Sequence, residues 1–166
     1  MAMSSRATST GSAAVGPPHI LAGDDSPEVL ALFRDLLEGE GYRVTLSPDA
    51  LDLATIKRLS PDLVIFDHMI EEGPGSGWHL LQALRQDPAT ATLPIVVCTG
   101  AVQRVRENAA LLQRLRARLV LKPFDIDRLL QAITQDLTAP LGMVTVSTAL
   151  SDLVPQSGYV PLSDRS

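Results

Sequence analysis

The sequence predicts an α/β protein built on a doubly wound, five-stranded parallel sheet. Three observations predict it. Five short aliphatic runs recur along the chain, each with the length and Val/Ile/Leu content of a buried strand. Between them lie segments whose apolar residues repeat at helical spacing. The joints are short and rich in Gly, Pro, Asp and Ser, so strand and helix alternate and each helix crosses back over the sheet.

Residues 1–18 are small and polar, punctuated by Gly11, Gly16 and Pro17-Pro18, and are expected to form a disordered leader. His19-Ile20-Leu21-Ala22 is the first strand, and Gly23-Asp24-Asp25 stands at its end. Ser26 supplies an N-cap and Pro27 the first helical position. The helix carries Val29, Leu32, Phe33, Leu36 and Leu37, and Gly39 and Gly41 end it. Tyr42 to Leu46 is the second strand, and Ser47-Pro48-Asp49 is expected to open a second helix reaching about Leu59.

The third strand, Leu63-Val64-Ile65-Phe66, ends abruptly in Asp67. A polar loop over Glu71 to Gly77 leads into a third helix that stops before Pro88. Pro94 to Val97 is the fourth strand, followed by Cys98-Thr99-Gly100. A fourth helix carries the stripe Val102, Val105, Ala109, Leu112 and Leu115. Leu119-Val120-Leu121 is the fifth strand and runs straight into Lys122-Pro123. Ile126, Leu129, Leu130, Ile133 and Leu137 define the last helix. The folded domain is therefore expected over residues 19–137. Residues 138–166 carry apolar pieces too short for a second domain and read as a flexible tail, with no output domain attached.

Composition narrows the function. A net charge of -5 argues against nucleic-acid binding, which needs a basic footprint. The single cysteine, Cys98, cannot close an internal disulfide, and no apolar run reaches membrane-spanning length. A cytoplasmic protein is the expectation. Cys98 itself reads as a small buried apolar residue. The three histidines lack metal-ligand spacing, and strand alternation turns His68 away from Asp67. Trp78 is expected to pack the start of the third helix.

In a parallel sheet the residues that follow the strands share one edge, where open α/β sheets bind ligands. Here they are Asp24, Asp25, Asp67, Thr99 and Lys122. Three neighbouring carboxylates need protons or a cation, and a hard divalent ion such as Mg²⁺ suits oxygen ligands. A cation, a hydroxyl and an ammonium together are what phosphoryl oxygens require. The pocket therefore points to phosphoryl chemistry, with Asp67 as nucleophile.

The ordered set Asp24-Asp25, Asp67, Thr99 and Lys122-Pro123-Phe124 resembles the signature of the receiver domain of two-component response regulators, over about residues 19–137. The resemblance implies a flavodoxin-like (βα)5 fold with strand order 2-1-3-4-5. It implies that Asp67 accepts a phosphoryl group from a sensor histidine kinase or phosphotransfer protein. Mg²⁺ would be held by Asp25, by Asp24 directly or through water, by Asp67, and by the backbone carbonyl of Met69. Thr99 and Lys122 would bind phosphoryl oxygens, Gly100 would admit the donor, and the Lys122-Pro123 bond would be cis. A downstream protein would dock on the face made by helix four, strand five and helix five, and a homodimer is left open.

Three departures from the family pattern stand out. The loop after Asp67 is longer and carries Glu71 and Glu72. Leu119 occupies the position of the usual switch aromatic, so it is expected to stay buried in both states. Gly23 precedes the acidic pair where many relatives have a larger residue. Arg104, Arg106, Arg114, Arg116 and Arg118 read as a solvated basic face or a docking surface for an acidic partner. Two other functional classes are carried. A pseudo-receiver would bind its partner without phosphorylation. A metal-dependent phosphohydrolase is disfavoured because Met69, not a second aspartate, lies two residues after Asp67.

Overall fold

The computed structural model describes residues 16–67, 76–123 and 125–138. Residues 1–15 of the expected leader, residues 139–166 of the expected tail, His68, Met69, Ile70, the loop residues 71–75 and Phe124 lie outside the described residues.

Five strands form one parallel sheet in the order β2-β1-β3-β4-β5, as the resemblance implied. They are β1 (His19–Gly23), β2 (Arg43–Ser47), β3 (Leu63–Phe66), β4 (Ile95–Thr99) and β5 (Arg118–Leu121). Strand side chains alternate between faces, and the core divides accordingly. Leu21, Val64, Phe66, Val97 and Leu119 face one layer, which holds α2 (Leu53–Leu59), α3 (Gly77–Gln86), α4 (Val102–Glu107) and α5 (Ala109–Arg114). Ile20, Ala22, Ile65, Val96 and Val120 face the other, made by Phe33 and Leu37 of α1 (Pro27–Gly39) and by Leu129 and Ile133 of α6 (Ile126–Thr138). Trp78 packs against the first of these clusters, as expected. No helix among the described residues is long and apolar enough to cross a membrane.

Local chemistry sets the helix ends. Ser26 caps α1 by accepting the Val29 N–H. At the other end the Tyr42 N–H reaches the Leu37 carbonyl and the Gly41 N–H reaches Glu38, a Schellman closure that places Gly41 at φ +87°.

Two elements differ from expectation. Helix α2 begins at Leu53, not after Ser47, because Asp52 is the residue whose carboxylate accepts the Thr55 N–H, at 2.6 Å. The expected fourth helix is two, α4 and α5, separated at Asn108. Asn108 has φ -113° and ψ 15°, and its side-chain amide donates to the Arg104 carbonyl at 2.9 Å. A side-chain amide competing for helix carbonyls is a recognised cause of such a break.

Candidate functional site

The C-terminal edge of the sheet carries four of the expected residues. Asp24 follows β1, Asp67 follows β3, Thr99 ends β4 and Lys122 follows β5. Register sets their depth: Gly23 lies opposite both Ser47 and Phe66, and Thr99 lies opposite Leu121. The Asp67 N–H donates to the Gly23 carbonyl at 3.3 Å, and the Lys122 N–H donates to the Thr99 carbonyl at 2.9 Å. Strand pairing thus continues into the site and holds its backbone.

The side chains converge on Lys122. Its ammonium donates to Asp24 Oδ2 at 2.8 Å and to Asp67 Oδ2 at 2.7 Å. Burial alone would lower the Lys122 pKa, but the hydrogen bonds to Asp24 and Asp67 outweigh it and hold the ammonium above the ordinary lysine value. The lysine therefore stays charged across the neutral range.

Each carboxylate is used differently. Asp24 is fully buried, and its second oxygen, Oδ1, accepts the Ser26 N–H at 2.8 Å, so both oxygens are engaged. Asp67 has one oxygen on Lys122, while Oδ1 is buried with no hydrogen-bond partner. Asp25 is exposed. Among the described residues no three acidic, histidine or cysteine side chains gather around one point as a finished metal cage. The repulsion expected among three carboxylates is met instead by the ammonium between two of them.

Thr99 is fully buried, and its hydroxyl accepts the Ala101 N–H at 3.1 Å, which leaves its O–H to donate. Gly100 is exposed, and a Cβ there would find only Lys122 Cβ, at 3.9 Å. The Lys122-Pro123 peptide is cis. Burial pushes the Cys98 thiol up to about 12, with Asp67 and Asp24 adding to the shift against Lys122, so it is an inert core residue as expected. Leu119 is 6% exposed, buried at the position expected for the switch aromatic.

Reasoning from sequence missed one residue beside this edge and one at the opposite edge of the sheet. Leu51, from the loop between β2 and α2, is buried against Gly23, and its only signal was a lone apolar residue ahead of the capping Asp52. Arg85 donates to the carbonyls of Leu93, Leu115 and Arg116 and had no sequence signal.

A parallel sheet of this order with an Asp–Lys–Asp cluster at its carboxyl edge defines a receiver-type α/β protein. Residues 20–134 match the response regulator receiver domain family, and the chain belongs to that family. It is 32% identical over 117 residues to an uncharacterized 14.6 kDa protein of Leptolyngbya boryana, covering 70% of this chain and 87% of the relative. It is 28% identical over 125 residues to the polar-differentiation response regulator DivK of Brucella anthropi, covering 70% and 94%. The fold also matches the receiver domain of the sensor histidine kinase PA1611 from Pseudomonas aeruginosa, whose structure has magnesium coordinated in its active-site cleft. That match has a TM-score of 0.63 at 24% identity and covers 75% of this chain and all of that one.

Proposed function

We infer that Asp67 is the phosphoacceptor of this receiver and that the chain takes its phosphoryl group from a phosphohistidine of a sensor histidine kinase or phosphotransfer protein. The observation that carries this reading is the state of the Asp67 carboxylate. One oxygen is oriented by Lys122, and the other is buried without a partner. A buried carboxylate oxygen is costly unless a proton, a donor or a cation meets it.

Mg²⁺ fits that need, since hard divalent ions take carboxylate and carbonyl oxygens and keep several waters. Asp67, the exposed Asp25 and the carbonyl of Met69 would hold it, with Asp24, both of whose oxygens are engaged, contributing through water. Bound there, the ion would supply positive charge for the phosphoryl oxygens. In the transfer, an Asp67 oxygen bonds to phosphorus as the bond from phosphorus to the donor imidazole nitrogen breaks, and the imidazole takes a proton. Lys122 and the Thr99 O–H stabilise the charge on the transferred group.

Acid-rich overall charge supports a protein partner rather than nucleic acid. The face of α4, α5, β5 and α6, with Arg106, Arg114 and Arg116 exposed, is the docking surface for a downstream protein or a second copy of the chain. The cytoplasm, where a sensor kinase delivers its phosphoryl group, is the place this function assigns.

The test is intact-mass measurement after incubation with Mg²⁺ and acetyl phosphate. The expected result is one added phosphoryl group, absent in Asp67→Asn. An unmodified wild type, or a modified Asp67→Asn, sinks the reading and leaves the pseudo-receiver in its place.

A further inference from the structure

Gly23 has a neighbour that its own stretch of sequence does not announce. A Cβ built on it would stand 2.8 Å from Cδ1 and 3.0 Å from Cγ of Leu51. The glycine is not among those with positive φ, so backbone conformation does not demand it. Close approach does. Leu51 is buried in the cluster that holds Leu21, Val64 and Phe66, while its neighbours Ala50 and Asp52 are exposed. Its side chain therefore enters the core alone and comes to rest on the last peptide of β1.

That peptide fixes the backbone at both Asp24 and Asp67. The Gly23 carbonyl accepts the Asp67 N–H at 3.3 Å, and the next amide, that of Asp24, donates to the Ser47 carbonyl at 3.2 Å. We propose that Leu51 and Gly23 are a complementary pair that positions Asp24 and Asp67, Leu51 filling from a neighbouring loop the space beside the strand end. For its kinetic consequence this rests on Asp67 being the phosphoacceptor; for its structural consequence it does not. A methyl group at position 23 must displace Leu51 or the strand end. Leu51 sits in a packed core, so part of the displacement passes to the Gly23 carbonyl and on to the Asp67 amide. Phosphoryl transfer depends on placement, and a 1 Å error at the reacting atoms costs on the order of 100-fold.

The test uses the full chain as Gly23→Ala, Leu51→Ala and the double variant. Two quantities are read: the amide resonances of Asp24 and Asp67, and the initial rate of phosphorylation by acetyl phosphate with Mg²⁺. In Gly23→Ala both resonances move, and the rate falls by about tenfold or more. In the double variant the new methyl enters the space Leu51 vacates, so resonances and rate return toward wild type even though packing is lost. A merely structural contact would lower stability and leave both readouts alone. The proposal is overturned if the Asp67 amide of Gly23→Ala stays at its wild-type position, or if the double variant is no closer to wild type than Gly23→Ala. Should acetyl phosphate leave the wild type unmodified, the phosphoacceptor reading fails and the amide resonances alone decide the pair.

Discussion

Arg118 at the start of β5 grips Asp136 of α6 through a two-pronged ion pair. Nε lies 2.9 Å from both carboxylate oxygens and Nη2 lies 2.5 Å from Oδ1. Asp136 is 8% exposed, an acid inside the apolar layer formed by α1 and α6. This changes the expected five-arginine basic face, because Arg118 ties strand to helix instead of standing in solvent. Removing one partner leaves the other charge buried and alone. Asp136→Ala is expected to cost about 3 kcal/mol in urea unfolding. Replacing both residues by apolar ones of similar size is expected to recover most of that loss. An Asp136→Ala protein as stable as wild type would show that the pair contributes nothing.

Arg85 closes the other side of the molecule. Besides Leu93, Leu115 and Arg116 it reaches the carbonyls of Thr90 and Ala91, so one guanidinium joins the end of α3, the approach to β4 and the turn after α5. Burial, with a smaller contribution from Arg116, lowers its pKa to about 10. Arg85→Met is expected to cost about 2–4 kcal/mol, because several carbonyls lose their donor together. Arg85→Lys is not expected to rescue, since a single ammonium cannot span that fork. The turn it holds places Arg116 at φ +49°, a left-handed conformation that costs a non-glycine residue about 1 kcal/mol. Arg116→Gly is therefore expected to stabilise the protein slightly, read by the same urea titration.

The sheet and its site were legible for a simple reason. Ile20 and Leu21, or Val64 and Ile65, show both faces of a strand to be apolar, and parallel strands bring their ends to one edge. Asp24, Asp67, Thr99 and Lys122 thus meet despite lying far apart in sequence. The start of α2 was not legible. Ser47 and Asp52 are both good caps followed by apolar residues, and the choice between them depends on Leu51 being drawn into the core against Gly23. Asn108 reads as an ordinary exposed position within an apolar stripe until its side chain is seen turning back to Arg104. Arg118–Asp136 and the Arg85 fork join residues whose spacing carries no local pattern.

His19 makes stability depend on pH near neutrality. Its ring is buried, Nε2 meets the Thr45 hydroxyl at 2.8 Å, and Nδ1 has no partner. Burial, then Arg43, lowers its pKa against the opposing pull of Asp62 and the Leu59 backbone. The unfolded chain binds the proton first, near the ordinary value of about 6.5. The contribution of neutral His19 is thus complete above that pH and is lost as pH falls through the lower folded value. Urea midpoints taken between about pH 7 and 5 are expected to decline in the wild type and to flatten in His19→Phe. The acids Asp52 and Asp87, whose pKa values are lowered by capping and by Lys57, act below the ordinary carboxylate range and do not confuse the window. Equal slopes in the two proteins would remove His19 from the account.

The route from the proposed phosphoryl site to the surface is expected to end within α4. The Thr99 hydroxyl is bonded to the Ala101 N–H, and the Val102 N–H to the Gly100 carbonyl, so a ligand that draws Thr99 inward pulls on the first turn of α4 directly. Six residues later Asn108 interrupts the helix, and beyond it the Arg85 fork holds the end of α5. Leu119 is already buried and has no ring to exchange between two positions. A ligand shifts an equilibrium only where its contacts differ between states, and here those contacts lead to residues 99–107. Hydrogen exchange with and without beryllofluoride and Mg²⁺ is expected to change protection across residues 101–107, and little across 109–117 or 119–121. In Asn108→Ala, where α4 and α5 can join, the change is expected to extend into α5. Protection changes centred on Leu119 to Leu121, with α4 untouched, would show that the strand rather than the helix carries the switch.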